Sequence, residues 1–220
     1  MGGPGAGKGT QAYRVAKKYG VPHISTGEIF RRHIEDETEL GREIKRYLDK
    51  GQLAPDAVAL KVVERRLSDS DCAKGYILDG FPRSLEQATA FDEMLEARGE
   101  QLNLVLNLAV DDDEIVERLT ARRMCPQCGG IYNVRFNPPR QYPYCDREGC
   151  DKVELVQRDD DREETVRARL NVYHKTTEPM IQFYEDKGLL RTVRGMGRTP
   201  DEIWQTVASL IEASGCTVEL

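Results

Sequence analysis

Short apolar runs alternate with helix-period stripes along the chain. His23–Ser25 follows a brief apolar lead, and Tyr76-Ile77-Leu78 runs into Asp79-Gly80. Leu102–Val110 and Leu189–Val193 are two further strand candidates. Between them, apolar positions fall at helical spacing, as in Leu60, Val63 and Leu67, and again in Ile115, Val116 and Leu119. Alternation of short apolar strands with amphipathic helices predicts a parallel sheet with helices on both faces, a three-layer α/β fold. Asp111 with Glu114 three residues on reads as a capping box. Thr199-Pro200-Asp201-Glu202 repeats that logic, with proline at the first helical position.

One stretch breaks the alternation. Residues 124–160 hold four of the ten prolines and four of the six cysteines, a composition that argues against a long helix there. Ile131-Tyr132-Asn133-Val134-Arg135-Phe136 alternates instead, which predicts a small β-rich insertion joined near Arg122-Arg123 and Arg158–Asp161. Of the two acidic runs, Asp111–Asp113 reads as a helix start and Asp159–Asp161 as a hinge.

Cys125 and Cys128 stand in a C-x2-C pair; after sixteen intervening residues Cys145 and Cys150 form a C-x4-C pair. The spacing fits four thiolates around one zinc ion, with Gly129-Gly130 allowing the tight turn. The wider second pair leaves Asp146 and Asp151 as oxygen alternatives to Cys150. Two disulfides in an exported protein are the competing reading. The N-terminal residues offer no basic segment leading into an apolar one, so zinc in a reducing cytoplasm is preferred. Cys72 and Cys216 read as a core thiol and a tail thiol.

The 220 residues suffice for one or two domains with a sizeable core. With 32 Lys+Arg against 38 Asp+Glu, the net charge of −6 argues against a nucleic-acid-coating protein but not against a local basic pocket. Leu102–Val110 is the longest nearly apolar stretch, far short of the ~20 residues that span a membrane.

The sharpest chemistry lies at the N-terminus. Gly2-Gly3-Pro4-Gly5-Ala6-Gly7-Lys8 is a G-x-x-x-x-G-K loop followed by Gly9-Thr10. Glycines let backbone N–H groups converge on phosphate oxygens, the following helix adds its dipole, and Lys8 adds a full charge. Arginines accompany it. Arg118 and Arg122 are spaced for one helical face, Arg158 and Arg169 share a face if their helix extends that far back, and Arg83 follows a strand's carboxyl end. The alternative is pairing with surface acids such as Glu117 or Glu163. Many arginines without an obvious nucleophile suit phosphoryl transfer, which needs charge neutralisation and alignment more than a base. His23, His33 and His174 have no triad or metal spacing and read as solvated or core residues.

Together these motifs resemble the adenylate kinase family, in its long bacterial form with a zinc-bearing lid. Gly2–Thr10 matches the family's G-x-P-G-x-G-K-G-T loop, Ile24-Ser25-Thr26-Gly27-Glu28 the start of its monophosphate-binding arm, and Asp79-Gly80-Phe81-Pro82-Arg83 its D-G-F-P-R signature. Phe136-Asn137-Pro138-Pro139 and Arg158-Asp159-Asp160 match its lid. The resemblance implies a P-loop core at 1–123 and 161–220, a monophosphate-binding arm at 25–54 within it, and a lid at 124–160. It implies that Gly5, Ala6, Gly7, Lys8, Gly9 and Thr10 hold ATP phosphates, with Arg122, Ile131, Tyr132 and Thr199 also at ATP. AMP would meet Thr26, Arg31, Gln52, Leu53, Ala54, Gly80, Phe81, Pro82, Arg83 and Gln87, the last reading the adenine edge. Lys8 and Arg118 would stabilise the transferring phosphoryl, with Arg83, Arg122, Arg158 and Arg169 also in the catalytic set. Arg158 and Arg169 would clamp the phosphates of AMP and the transferred group. Asp79 would stand near Mg2+ through water, and Cys125, Cys128, Cys145 and Cys150 would hold structural Zn2+.

The implied activity is transfer from MgATP to AMP, giving two ADP, in a cytoplasmic monomer without nucleic-acid or membrane partners. A GTP-dependent AMP kinase, another nucleoside-monophosphate kinase and, remotely, a zinc-ribbon nucleic-acid-binding protein are the alternatives. Family chains carry a short apolar strand before the phosphate loop, which Met1 here adjoins directly. That strand is therefore expected to be missing, its two neighbours to lack ladder partners, and Met1 to be an internal methionine of a longer protein; the alternative is that this chain is the real product, with impaired activity.

Overall fold

The computed structural model describes residues 1–150 and 152–215. Asp151 and Cys216, both singled out above, lie outside them. Helix α1 (Lys8–Tyr19) leaves the glycine-rich loop and is followed by β1 (His23–Ser25), α2 (Thr26–Glu35) and α3 (Glu39–Leu48). Next come α4 (Asp56–Leu67), β2 (Ile77–Asp79), α5 (Leu85–Ala97), β3 (Val105–Ala109) and α6 (Asp112–Thr120). Two short strands follow, β4 (Arg122–Met124) and β5 (Ile131–Asn133). After them run α7 (Glu163–Val172), a π-helical turn at Tyr173–Thr177, α8 (Met180–Asp186), β6 (Leu190–Arg194) and α9 (Pro200–Ala213).

The core strands are parallel. β1 runs beside β2, His23 opposite Ile77 and Ser25 opposite Asp79; β3 runs beside β6, Val105 opposite Leu190 and Ala109 opposite Arg194. Among the described residues these are two separate pairs. Ile77–Asp79 and Leu104–Leu106 line a shared cavity of about 1160 Å³, which continues into the cleft described below. Met1 lies along β3, its amino group donating to Leu106 O and its carbonyl accepting from Leu108 N at 3.0 Å.

Each pair has its own apolar packing. Ile24, Phe30, Ile44, Val63, Phe91 and Leu95 form one cluster over β1–β2, which also takes in Cys72. Val15, Leu108, Val193, Ile203, Val207 and Ile211 form another over β3–β6. Helices α6 and α7 meet through Ile115, Leu119, Val166 and Leu170. Thr199 caps α9 as its sequence predicts: its hydroxyl accepts from Glu202 N–H, while Glu202 accepts from Thr199 N–H at 2.7 Å.

Three local expectations are corrected. Asp111 stands at the start of α6, but its side chain makes no cap bond, and Glu114 pairs with Arg118 instead. Helix α6 does not reach Arg122. It stops at Thr120 because Arg122–Met124 pair antiparallel with Ile131–Asn133, and Asn133 Nδ2 donates to Arg118 O at 3.0 Å, capping an end carbonyl. Likewise α7 does not extend back to Arg158. Asp159–Asp161 form a 3-10 turn and Arg162 is extended (φ −67°, ψ 140°), so Arg158 and Arg169 sit on different elements.

Candidate active site

The glycine-rich loop packs against α6 and β3. Gly5 has φ +81°, and a Cβ there would lie 2.7 Å from Leu119 Cγ, so only glycine fits both the turn and the packing. Lys8 reaches back and donates to Gly2 O and Gly3 O, each at 2.7 Å. Asp79, at the carboxyl end of β2, stands over the start of α1: a Cβ on Gly9 would lie 3.3 Å from its Oδ2. His23 Nε2 lies 3.4 Å from that same oxygen, so the sequence reading of His23 as merely solvated or core misses a contact. Burial pushes the Asp79 carboxyl up, but the His23 hydrogen bond and the Lys8 charge outweigh it and leave its pKa below the ordinary value.

Opposite the loop, the segment after β2 turns sharply. Gly80 has φ +80°, and a Cβ there would lie 2.7 Å from an Arg83 nitrogen and 3.0 Å from Thr26 Oγ1. Its carbonyl accepts from Thr26 Oγ1 at 2.8 Å and Arg83 Nε at 2.7 Å. Gln87 is buried, its Oε1 accepting from Arg83 N–H at 2.8 Å and its Nε2 donating to Asp56 Oδ1 at 2.6 Å. Arg31, whose guanidinium lies over Gly27, lines the same cleft as Gln52, Leu53, Ala54, Phe81 and Pro82.

The cations in and around this cleft are held against their preference. Burial pushes the Lys8 pKa down to about 8, and the nearby Arg83, Arg169 and Arg122 charges deepen the shift that Asp79 opposes. Arg83 is lowered to about 10 by burial and then by Arg169. Burial and Arg122 lower Arg158 to about 10, and burial also lowers Arg169. Among the described residues, Lys8, Arg83 and Arg158 have no carboxylate oxygen within ion-pair distance. Arg158 instead rests against Met124 Sδ, Nη2 at 3.2 Å. Three others have acidic partners: Arg118 with Glu114, Arg169 with Asp160 at 2.9 Å, and Arg122 with Asp161 in a fork at 2.7 and 2.6 Å. Asp161 is fully buried. The sequence reading named the acidic run only as a hinge and missed its pairing with these arginines. Three carboxylates between two arginine-bearing segments are the signal that could have found it.

The structure thus brings Lys8, Thr26, Arg31, Gln52–Ala54, Gly80–Arg83, Gln87 and Arg169 to one cleft lining. Gly5, Ala6, Gly7, Gly9 and Thr10 build the adjoining loop and first helical turn. Arg118, Arg122, Arg158, Ile131, Tyr132 and Thr199 lie outside that lining. Ile131 is exposed on β5, whereas Tyr132 turns inward: its hydroxyl donates to Asp146 Oδ1 at 2.6 Å and lies 3.2 Å from Cys145 Sγ.

The four cysteines stand together. The sulfurs of Cys125, Cys128, Cys145 and Cys150 all lie within 4.8 Å of one another, with Cys125–Cys150 at 3.9 Å and Cys128–Cys145 at 3.8 Å. A tetrahedron of Zn–S bonds near 2.3 Å puts its sulfurs about 3.8 Å apart, so the donor set fits zinc. Cys150 stands within the quartet, while Asp146 is engaged by Tyr132 and by Arg140 N–H at 2.9 Å.

Residues 1–189 match the family model described as adenylate kinase. Among similar proteins, the adenylate kinase of Thermodesulfovibrio yellowstonii is 50% identical over 96% of this chain and 97% of its own. That of Symbiobacterium thermophilum is 50% identical over 97% of each chain. That of Archaeoglobus fulgidus is 48% identical over 96% of each.

Proposed function

The chain belongs to the adenylate kinase family, and from that premise we propose how its residues divide the work of the reaction. It is a nucleoside-monophosphate kinase that moves a phosphoryl group reversibly between ATP and AMP. The GTP-dependent, pyrimidine and nucleic-acid-binding alternatives are not favoured. The observation that carries our assignment is the set Lys8, Arg83, Arg158 and Arg169, whose positive charges are disfavoured by burial and by neighbouring arginines, Arg31 and Arg122 among them. Polyphosphate relieves that repulsion, so binding energy is released where charge must be neutralised.

In this reading Gly5–Thr10 cradle the ATP phosphates with backbone N–H groups, and Lys8 leaves its carbonyl partners for them. AMP lies along Thr26, Arg31, Gln52–Ala54 and Gly80–Arg83, with Gln87 at its base. Arg158 and Arg169 hold the acceptor phosphate in line, while Lys8, Arg118 and Arg122 meet the charge that develops on the transferring group. Arg122, Ile131, Tyr132 and Thr199 complete the ATP side. Tyr132 takes part through its backbone, because its hydroxyl is occupied inside the lid, and so does Thr199, whose side chain caps α9. Adenylate kinases use Mg2+ with ATP; Asp79 offers the hard oxygen donor such an ion takes, and the ion supplies further phosphate neutralisation.

The lid, 124–160, closes over both nucleotides and excludes water. Zn2+ on Cys125, Cys128, Cys145 and Cys150 is structural, since all four positions are thiolates and no ligand position stays open for chemistry. The core is 1–123 with 161–220, and 25–54 forms the AMP arm. We place the protein in the cytoplasm, where thiolates stay reduced, as a monomer, because one chain supplies every residue of the cleft. Among the described residues no helix is long and apolar enough to cross a membrane.

A coupled assay of ADP formation tests this directly. ATP with AMP is expected to give two ADP per AMP consumed, and UMP or CMP in place of AMP, or GTP in place of ATP, to give far less. Preference for a pyrimidine monophosphate or for GTP would overturn it.

A further inference from the structure

We infer that Asp56 is a positioning residue that sets purine choice at the monophosphate site by holding the Gln87 amide in one of its two orientations. The inference rests on the reading that Gln87 meets the base. A primary amide is nearly symmetric in shape, and a half-turn about its last side-chain bond exchanges oxygen and nitrogen. Adenine presents a donor at its 6-amino group beside an acceptor at N1. A 6-oxo purine presents the opposite, an acceptor at O6 beside a donor at N1. One orientation of the amide matches the first edge and the flipped orientation matches the second, so an unrestrained glutamine discriminates poorly.

Here both ends of the amide are engaged by groups that cannot exchange roles. Asp56, the first residue of α4, receives a hydrogen bond from Gln87 Nε2 at 2.6 Å. A carboxylate can only accept. Gln87 Oε1 receives the Arg83 backbone N–H at 2.8 Å, a group that can only donate. Flipping the amide would set Oε1 against the carboxylate and the NH2 group against an N–H, two repulsive contacts in place of two hydrogen bonds. Gln87 is 3% exposed, so water has little room to compensate. The second N–H and the second oxygen lone pair remain for a base. The Arg83 half of the clamp is backbone, so Asp56 is the half a side-chain substitution can remove.

The test compares AMP with inosine monophosphate, which differs on the 6-position edge. Asp56→Asn keeps the side-chain shape but can donate or accept. It is expected to lower the AMP-to-IMP ratio of kcat/KM about tenfold, the scale of one charge-assisted hydrogen bond. The change should be carried by the two monophosphate KM values rather than by kcat or the KM for ATP. Asp56→Ala should lower the ratio in the same direction. A role confined to the start of α4 would shift Tm and leave the ratio alone, and an unchanged ratio in both variants overturns the inference. Gln87→Leu separates the two layers. If it leaves the KM for AMP unmoved, the underlying reading of Gln87 fails; if it raises that KM while Asp56→Asn leaves the ratio unmoved, only the clamp fails.

Discussion

The core and the cysteine-bearing lid are held together by different physics. In the core, Ile24, Phe91, Val63, Val193 and Val207 are 2% exposed or less, and removing apolar surface from water is enough to fix their neighbours. In the lid the buried cluster is Cys125, Tyr132, Cys145, Cys150 and Leu155, of which three are cysteines. So few side chains cannot offset the conformational entropy of a segment this long. The lid therefore needs its sulfurs joined, and the core does not. A segment held by one ion, as we propose for this one, can be rigid inside yet swing on its two connections.

The sharpest way to break this contrast is to remove the zinc we propose at the four cysteines. Structural zinc contributes about 10 kcal/mol or more in small sites. Stripping it with a strong chelator, or replacing Cys145 with serine, is expected to unfold the lid and cut phosphoryl transfer by orders of magnitude. The core should keep its helical circular dichroism and a separate melting transition. A zinc-free protein with an unchanged melting profile would mean that the lid is self-supporting.

Phe91→Ala probes the opposite side. Phe91 is fully buried and packs edge-on against Phe81 at 5.4 Å between centroids. Its truncation is expected to cost about 3–5 kcal/mol of global stability in chemical denaturation. Zinc content should be unaffected; loss of zinc in this variant would merge the two regions into one cooperative unit.

The joint between them carries a charge pair. Asp161→Ala leaves Arg122 without its fork and is expected to cost about 3 kcal/mol. Hydrogen exchange should rise at β4 and at the start of α7 while Phe91 and its neighbours stay protected.

The smallest effect lies at His174, whose ring joins Asp112 Oδ2 at 2.9 Å to Glu178 Oε2 at 2.8 Å. The Glu178 and Asp112 hydrogen bonds raise its pKa above the ordinary 6.5. Its contribution is therefore complete below about pH 6.5 and lost as pH rises through the higher folded value. At 40% exposure it is worth under about 1 kcal/mol. Thermal melts of wild type and His174→Ala should differ slightly at pH 5.5 and converge at alkaline pH.

What could be read from residue order follows the same division. Strands β1, β2, β3 and β6 and helices α4 and α6 were legible, because a core built on burial writes its period into the chain. The four cysteines were legible by spacing, and they stand together. The ends of α6 and α7 were not. Arg118 and Arg122 have helical spacing, yet Asn133, fifteen residues after Arg118, closes the helix between them. Nor was it legible that the Tyr132 hydroxyl turns inward to Asp146, whose pKa it lowers. The Asp161 fork to Arg122 and the Asp56 bond to Gln87 join positions 39 and 31 apart, and neither has a local pattern.

Proton uptake on binding tests the central claim most directly, namely that unneutralised positive charge is what this cleft offers. Lys8, lowered to about 8 in the free protein, must be fully protonated beside phosphate. Calorimetric titration at pH 8 with two adenosines joined through a polyphosphate chain, in buffers of different ionisation enthalpy, measures that uptake. The expected result is tight binding with net proton uptake, abolished in Lys8→Met. Proton release, or binding with no dependence on buffer, would contradict it.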